Sequence, residues 1–238
     1  MRIAGLGAGG WGPALARLLA LARHDVTLWG HDPVHLEEIR RTGRNQRYLP
    51  GIELPHDWRL EWDLLRAVAS ADGLLVAVPS KAFRDVTRNL ASFLGPIISV
   101  TKGIEPDTGL TMCGVLRSHS PAAPLVALSG PTLALEVARD IPTACVVAGT
   151  DAAAVQVAQH LFHRPAFRVY SSPDLIGVEL GGALKNVIAI AAGLCDGLGF
   201  GDNSKAALIT RAIAEIRRLG VACGAQPETF AGLSGLGD

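Results

Sequence analysis

The chain has 238 residues and sets 22 Lys plus Arg against 22 Asp plus Glu, so its formal net charge is zero. That balance excludes recognition of nucleic acid or another polyanion through an excess of basic charge. Apolar residues at 49% and charged ones at 18% exclude a disordered chain and supply a sizeable core. In chain order, the candidate strands are Arg2–Leu6, Asp25–Gly30, Gly73–Val78, Ile97–Thr101, Leu125–Ser129, Thr143–Ala148 and Phe167–Tyr170. Helical patterns lie between them, such as Leu15, Leu18, Leu19 and Ala22 after the first strand. The strands read as nearly unbroken apolar runs, which burial on both faces requires. Strands alternating with helices predict an α/β fold with right-handed crossovers and a mostly parallel sheet.

The rhythm changes at Ser171-Ser172-Pro173-Asp174, where Ser172 suits an N-cap and Pro173 a first helical position. Beyond it no strand signal appears. Ile176, Leu180, Leu184, Val187, Ile188 and Ala191 follow helical spacing, as do Ile209, Ile213, Ile216 and Gly220 in a second helix. Residues 1–171 therefore read as an α/β domain and residues 172–238 as the start of an all-helical one. The cysteines Cys113, Cys145, Cys195 and Cys223 form no C-x-x-C pair, so no metal site is expected and a reducing cytoplasm is the default. No apolar stretch reads as long enough to span a bilayer, and the N-terminus lacks the pattern of a signal peptide.

Gly7-Ala8-Gly9-Gly10-Trp11-Gly12 is a G-x-G-x-x-G between a strand and a helix. Gly7 permits the tight turn, Gly9 lets the backbone approach a pyrophosphate, and Gly12 lets helix and strand pack. The helix N-terminus then offers free N–H groups to the phosphates. The alternative is a glycine-rich turn that binds nothing. Where an NAD site wants an acid on the ribose, the second strand runs out into Gly30-His31-Asp32. Asp32 comes just after the strand end, and the His31 imidazole tolerates a 2′-phosphate, so NAD and NADP both stay open. His31 reads equally well as a solvated turn residue.

Val78-Pro79-Ser80, Thr101-Lys102-Gly103 and Ser129-Gly130-Pro131-Thr132 end three further strands, so they are expected to meet the glycine loop around one crevice. Lys102 there can hold an anionic or carbonyl oxygen, and Thr132 can donate from its N–H and hydroxyl. Taken alone, Lys102 is an ordinary surface lysine. In the segment Gly177–Ile190, Lys185 and Asn186 are polar islands in a small and apolar helix. A poorly hydrated lysine moves toward the working range of a general acid–base, and the competing reading is a lysine snorkelling out of a core helix. Gly181 and Gly182 weaken a helix interior and call for close approach of a cofactor or another backbone. Asp202 or Asn203 suits the N-cap of the next helix, and Asp238 brings a carboxylate after a glycine turn.

Together with Asn45-Gln46-Arg47-Tyr48-Leu49-Pro50-Gly51, Gly199-Phe200-Gly201-Asp202-Asn203 and Gly232-Leu233-Ser234-Gly235-Leu236-Gly237-Asp238, these segments resemble bacterial-type NAD(P)-dependent glycerol-3-phosphate dehydrogenase, C-terminally truncated. The resemblance implies a Rossmann-type domain followed by part of a helical one. It implies a cytoplasmic enzyme that interconverts dihydroxyacetone phosphate and sn-glycerol 3-phosphate and feeds glycerophospholipid synthesis. By similarity Gly10, Trp11, His31, Lys102 and Ala134 contact NAD or NADP. Lys102, Gly130 and Thr132 contact substrate, Lys185 is the proton donor and acceptor, and Asp238 lines the substrate site. A small phosphorylated substrate is the expected partner, with no nucleic acid, no membrane, and a homodimer as an option.

The sequence departs from the family at Gly10, often serine, and at Leu135, often lysine. It also lacks the later Ser-Arg-Asn motif, whose arginine helps hold substrate phosphate and cofactor. A chain without the later helices is expected to expose apolar surface and to associate. Two other functions compete: a dehydrogenase of the same scaffold acting on another hydroxy substrate, and a catalytically incomplete nucleotide-binding fragment.

Overall fold

The computed structural model describes residues 1–237. Its elements are β1 (Arg2–Leu6), α1 (Trp11–Leu21), β2 (Asp25–Trp29), α2 (Pro33–Thr42), β3 (Arg59–Glu61), α3 (Leu64–Val68), β4 (Gly73–Val76), α4 (Ser80–Thr87), β5 (Ile97–Ser99), α5 (Met112–His119), β6 (Leu125–Ser129), α6 (Ala134–Ala138), β7 (Thr143–Gly149), α7 (Ala152–Phe162), β8 (Phe167–Ser172), α8 (Leu175–Gly197) and α9 (Asp202–Ala222), with a 3₁₀ turn over Pro227–Ala231. The eight strands form one sheet in the order β3-β2-β1-β4-β5-β6-β7-β8. Every neighbouring pair is parallel except β6 with β7. The mostly parallel sheet expected from the alternation of strands and helices is present, with the Rossmann-type arrangement that the resemblance implied, and the chain continues into helices.

Successive strand residues feed opposite cores, as the period of two dictates. Ile3, Leu75, Ile98 and Val126 enter a core with Leu15 and Leu19 of α1 and Phe162 of α7. Ala4, Leu74, Ile97 and Leu125 enter a second core with Phe83 of α4 and Val115 of α5. Each such large side chain contributes about 1.5–3 kcal/mol by leaving water. Residues 1–237 also hold a smaller cluster of Leu180, Ala225 and Phe230, where α8 meets the 3₁₀ turn.

Several local expectations are corrected. β3 carries no apolar run and arises by pairing its three residues with β2, Thr27 opposite Arg59. The N-cap of α8 is Asp174 rather than Ser172, and that of α9 is Gly201, with Asp202 in the first turn. Asp174 is buried and accepts from Gly177 N–H (2.9 Å), Gln226 N–H (2.9 Å) and Thr229 Oγ1 (2.6 Å). It outcompetes Ser172 because it satisfies donors on the 3₁₀ segment as well as on its own helix. α8 is also long and apolar enough to cross a bilayer by length and composition, at 23 residues with an 18-residue window of mean hydropathy 1.6, contrary to the expectation that no segment is. Its first part packs on β6 and β7.

Candidate active site

The order of strands reverses between β1 and β4, and crevices in open α/β sheets form at the carboxyl ends of strands where this happens. A cavity of about 500 Å³ occupies that place. Its lining comes from the ends of four neighbouring strands: Gly7 to Trp11 after β1, Trp29 to Asp32 after β2, Ala77 to Ser80 after β4, and Val100 to Lys102 after β5. His35, Arg47 and Tyr48 close one side.

The glycine loop is shaped by close approach. A Cβ on Gly12 would stand 2.0 Å from Gly7 O, and one on Gly7 would stand 2.5 Å from Ala77 O at a φ of +124°. A Cβ on Gly9 would meet nothing within 4 Å, so the loop leaves open space on the side where a pyrophosphate would approach. Asn45, fully buried, fixes the loop from outside by donating through Nδ2 to Ala8 O (3.1 Å) and Gly9 O (2.9 Å).

Helix starts divide into two groups. α2, α3, α5, α7 and α8 are capped by the side chains of Asp32, Asp63, Thr111, Asp151 and Asp174. Among the described residues no side chain caps α1, α4 or α6, which begin after Gly10, Pro79 and Leu133. Gly10 and Pro79 line the cavity, and Ala134 lies 3.7 Å from where a Gly10 Cβ would be. α9, away from the glycine loop, is also uncapped. The first-turn N–H groups of α1 thus remain available at the Gly9 opening, and the residues present fit a dinucleotide phosphate there.

Gly7, Gly9, Gly10, Trp11, His31 and Lys102 line the cavity, whereas Gly12 packs beneath the loop. Asp32 lines it too, but its Oδ1 accepts from Val34 N–H (3.0 Å) and His35 N–H (3.2 Å), which commits the carboxylate to capping α2. Gly130 and Thr132 join the site through Lys102: Gly130 O accepts from Lys102 Nζ (3.0 Å) and from Thr132 Oγ1 (2.9 Å). Asp238 lies outside the described residues.

Lys185 does not line the 500 Å³ cavity. It is half-buried beside Gly181, Ile213, Ile216, Phe230 and Gly235. One turn earlier, α8 presses on the strand ends. A Cβ on Gly182 would meet Ser129 Oγ at 2.4 Å and Lys102 Cγ at 3.6 Å, and one on Gly181 would meet Ser234 O at 2.5 Å. The two glycines therefore serve two different neighbours, the end of β6 and the C-terminal turn. Lys185 follows Gly182 by three residues, about 4.5 Å along the helix, so its helix leaves the junction with Lys102 just before it.

Sequence reasoning assigned four contributors no individual role. Asn45, Arg47 and Tyr48 sit in a loop without helical or strand periodicity, and only the fold brings them to the glycines. Glu179 is a third polar island in α8, detectable by the same criterion as Lys185. Its Oε1 accepts from Cys113 N–H (2.8 Å) and its Oε2 from Thr111 Oγ1 (2.8 Å), and loss of hydration pushes its pKa up. Among the described residues no cluster of three or more His, Cys, Asp or Glu suits a metal ion.

Residues 2–155 match the family described as NAD-dependent glycerol-3-phosphate dehydrogenase N-terminus, and residues 174–238 its C-terminus. The chain is 50% identical over 238 residues to glycerol-3-phosphate dehydrogenase [NAD(P)+] of Edwardsiella ictaluri, covering 98% of itself and 70% of that protein. It is 49% identical over 243 residues to the Geobacter sulfurreducens protein of the same name, covering 72% of it. The crystal structure of glycerol-3-phosphate dehydrogenase from Coxiella burnetii superimposes with a TM-score of 0.94 at 39% identity, covering all of this chain and 74% of that one.

Proposed function

The chain belongs to the NAD-dependent glycerol-3-phosphate dehydrogenase family, and we propose that it performs the family's reaction, interconverting dihydroxyacetone phosphate and sn-glycerol 3-phosphate with NAD(P)H, through the crevice between β1 and β4. The observation that carries this is the convergence on one junction of the glycine loop, the Lys102–Gly130–Thr132 cluster and the Gly182 turn that precedes Lys185. Residues 1–171 act as the dinucleotide-binding unit and residues 172–238 as part of the substrate-binding unit.

Gly7, Gly9, Gly10, Trp11 and the free N–H groups of α1 hold the dinucleotide, with Gly12 keeping the loop closed and Ala134 beside Gly10. His31 faces the adenosine side, where its imidazole tolerates a 2′-phosphate, beside Asp32, whose Oδ1 caps α2, so NAD and NADP both remain open. When bound, the reduced nicotinamide supplies the hydride for the substrate ketone. Lys185 gives the proton that the developing alkoxide needs. Lys102 adds positive charge to the same oxygen, oriented by the Gly130 carbonyl, while Thr132, whose hydroxyl donates to Gly130 O, offers its backbone N–H toward the substrate.

Cys113, Cys145 and Cys195 are buried free thiols and Cys223 an exposed one, a set suited to a reducing cytoplasm. The homodimer option rests on the exposed apolar residues Val187, Ile190, Leu194 and Leu198 of α8 and the turn after it.

Assay with dihydroxyacetone phosphate and each reduced nicotinamide tests the function. Lys185→Ala is expected to lower turnover about 10²–10⁴-fold while leaving cofactor binding intact. Wild-type turnover in that variant ends the assignment. Cofactor binding without turnover on any substrate, even in longer chains, leaves the nucleotide-binding function.

A further inference from the structure

Glu179 does not line the cavity, yet it sits on the helix that carries Lys185 and bonds to Thr111 and Cys113 at the start of α5, where Thr111 bridges to the loop that carries Lys102. It lies on α8, three residues before Gly182 and six before Lys185. At about 100° per residue, Gly182 falls between Glu179 and Lys185 around the helix. Gly182 seats on Ser129 and Lys102, so a contact at Glu179 fixes how far α8 turns about that seat, and hence where Lys185 points.

The contact Glu179 makes is specific. Its carboxylate takes the N–H of Cys113 and the hydroxyl of Thr111, and Thr111 Oγ1 in turn accepts Gly114 N–H (3.2 Å) as the N-cap of α5. A negative group on the first turn of a helix also meets the positive end of its dipole. Thr111 is bridged across an antiparallel pair to Ile104, two residues after Lys102. The loop carrying Lys102 is held at its other end by Thr101 Oγ1, which donates to Val78 O (2.7 Å). One carboxylate thus links the helix of Lys185 to the loop of Lys102.

We propose that Glu179 is a positioning residue for the dehydrogenase reaction: by capping α5 from α8 it sets the register of Lys185 against Lys102. The inference rests on the function proposed above. Loss of hydration raises the pKa of Glu179, while the bonds from Cys113 and Thr111 act in the opposite direction. Glu179→Gln turns one acceptor oxygen into an NH₂ donor, so its bond with Thr111 Oγ1 must reverse direction. Thr111→Val removes the hydroxyl arm from the other side, and Thr111→Ser keeps it.

The experiment compares these variants and Glu179→Ala with the unmodified chain. Turnover is followed with NADPH and dihydroxyacetone phosphate, and NADPH affinity by fluorescence titration. A third measurement does not need turnover. The chain has four lysines, Lys81, Lys102, Lys185 and Lys205. Labelling with pyridoxal phosphate, trapping with borohydride and peptide mapping give the rates at Lys102 and Lys185 relative to Lys81 and Lys205.

In Glu179→Ala, Glu179→Gln and Thr111→Val, kcat is expected to fall roughly tenfold to a hundredfold, the range a displacement near 1 Å produces. NADPH affinity and KM for NADPH should stay within about twofold. The labelling rate of Lys185 relative to Lys81 should change severalfold, and dihydroxyacetone phosphate should no longer protect it. Thr111→Ser should restore all three readouts. Unchanged kcat and labelling ratios, or loss of NADPH binding in step with kcat, overturn the inference. If the unmodified chain binds NADPH but never turns over, the proposed function fails instead, and the labelling ratio alone decides the role of Glu179.

Discussion

The sheet-forming part and the helical part of this chain are both rich in apolar residues, but they spend them differently. All five positions of β6 are buried, and its neighbours supply two cores. In α9 only Gly220 of 21 residues is buried. α8 belongs to both regimes. Five of its six buried residues lie between Gly177 and Gly182, where it seats on the sheet, whereas Val187, Ile190 and Leu194 are exposed. A helix draws most of its stability from packing, so α8 is held firmly at the end that adjoins the active site and leans mainly on α9 beyond it. Composition alone does not reveal this gradient; the neighbours of each turn do.

The comparison can be broken most sharply at Asp174. Asp174→Ala leaves three donors from two segments without their acceptor, and at about 1–3 kcal/mol per stranded donor it should cost about 3 kcal/mol or more in urea unfolding. Asp151→Ala, at the start of α7 in the sheet part, removes one capping bond, from Ala154 N–H, and should cost only about 1 kcal/mol. Equal losses in the two variants would remove the distinction. Next in size is Gly182→Ala, whose new methyl must displace Ser129 and should cost about 1–3 kcal/mol. On the same helix, Gly193 has nothing within 4 Å of an added Cβ, so Gly193→Ala should instead stabilise by about 0.5–1 kcal/mol. Opposite signs eleven residues apart, read from urea midpoints at constant slope, would sharpen the picture; matching signs would refute it.

The smallest effect concerns pH. Arg84 and the Thr108 hydroxyl hold the Glu105 carboxyl down to about 2, against an ordinary value of 4.5. A carboxyl with a lowered pKa in the fold contributes stability above its unfolded value and loses it as pH falls through the folded one. The melting-temperature advantage over Glu105→Gln should therefore be full at neutral pH, shrink below pH 4.5 and vanish near pH 2. An advantage that stays constant across that window would show that the ion pair contributes nothing.

Strands β4, β5 and β6 were legible because burial on both faces writes them as apolar runs, and the glycine loop because each glycine answers a separate steric demand. β3 was not, since Arg59, Leu60 and Glu61 carry no run and form a strand only because β2 offers an edge. Ser172 and Asp174 are equally good caps locally, and the choice between them is made by Gln226 and Thr229, more than 50 residues away. The doublet Gly181-Gly182 signalled close approach of another backbone correctly at Gly181, which faces Ser234 O, whereas Gly182 faces the side chains of Ser129 and Lys102. Lys185 and Lys102 were visible as candidate amines, whereas the carboxylate that connects their segments was not, because its donors belong to another helix.

The three helices without side-chain caps at the strand ends have a thermodynamic corollary. Among the described residues their first-turn amides have no side-chain acceptor, and under the function proposed above a dinucleotide's pyrophosphate would complete those of α1 as aspartate does in α2 or α7. A ligand that binds only the native state raises the free energy of unfolding with the logarithm of its concentration. Loading the chain with dinucleotide is thus a late step of folding as much as a prelude to chemistry.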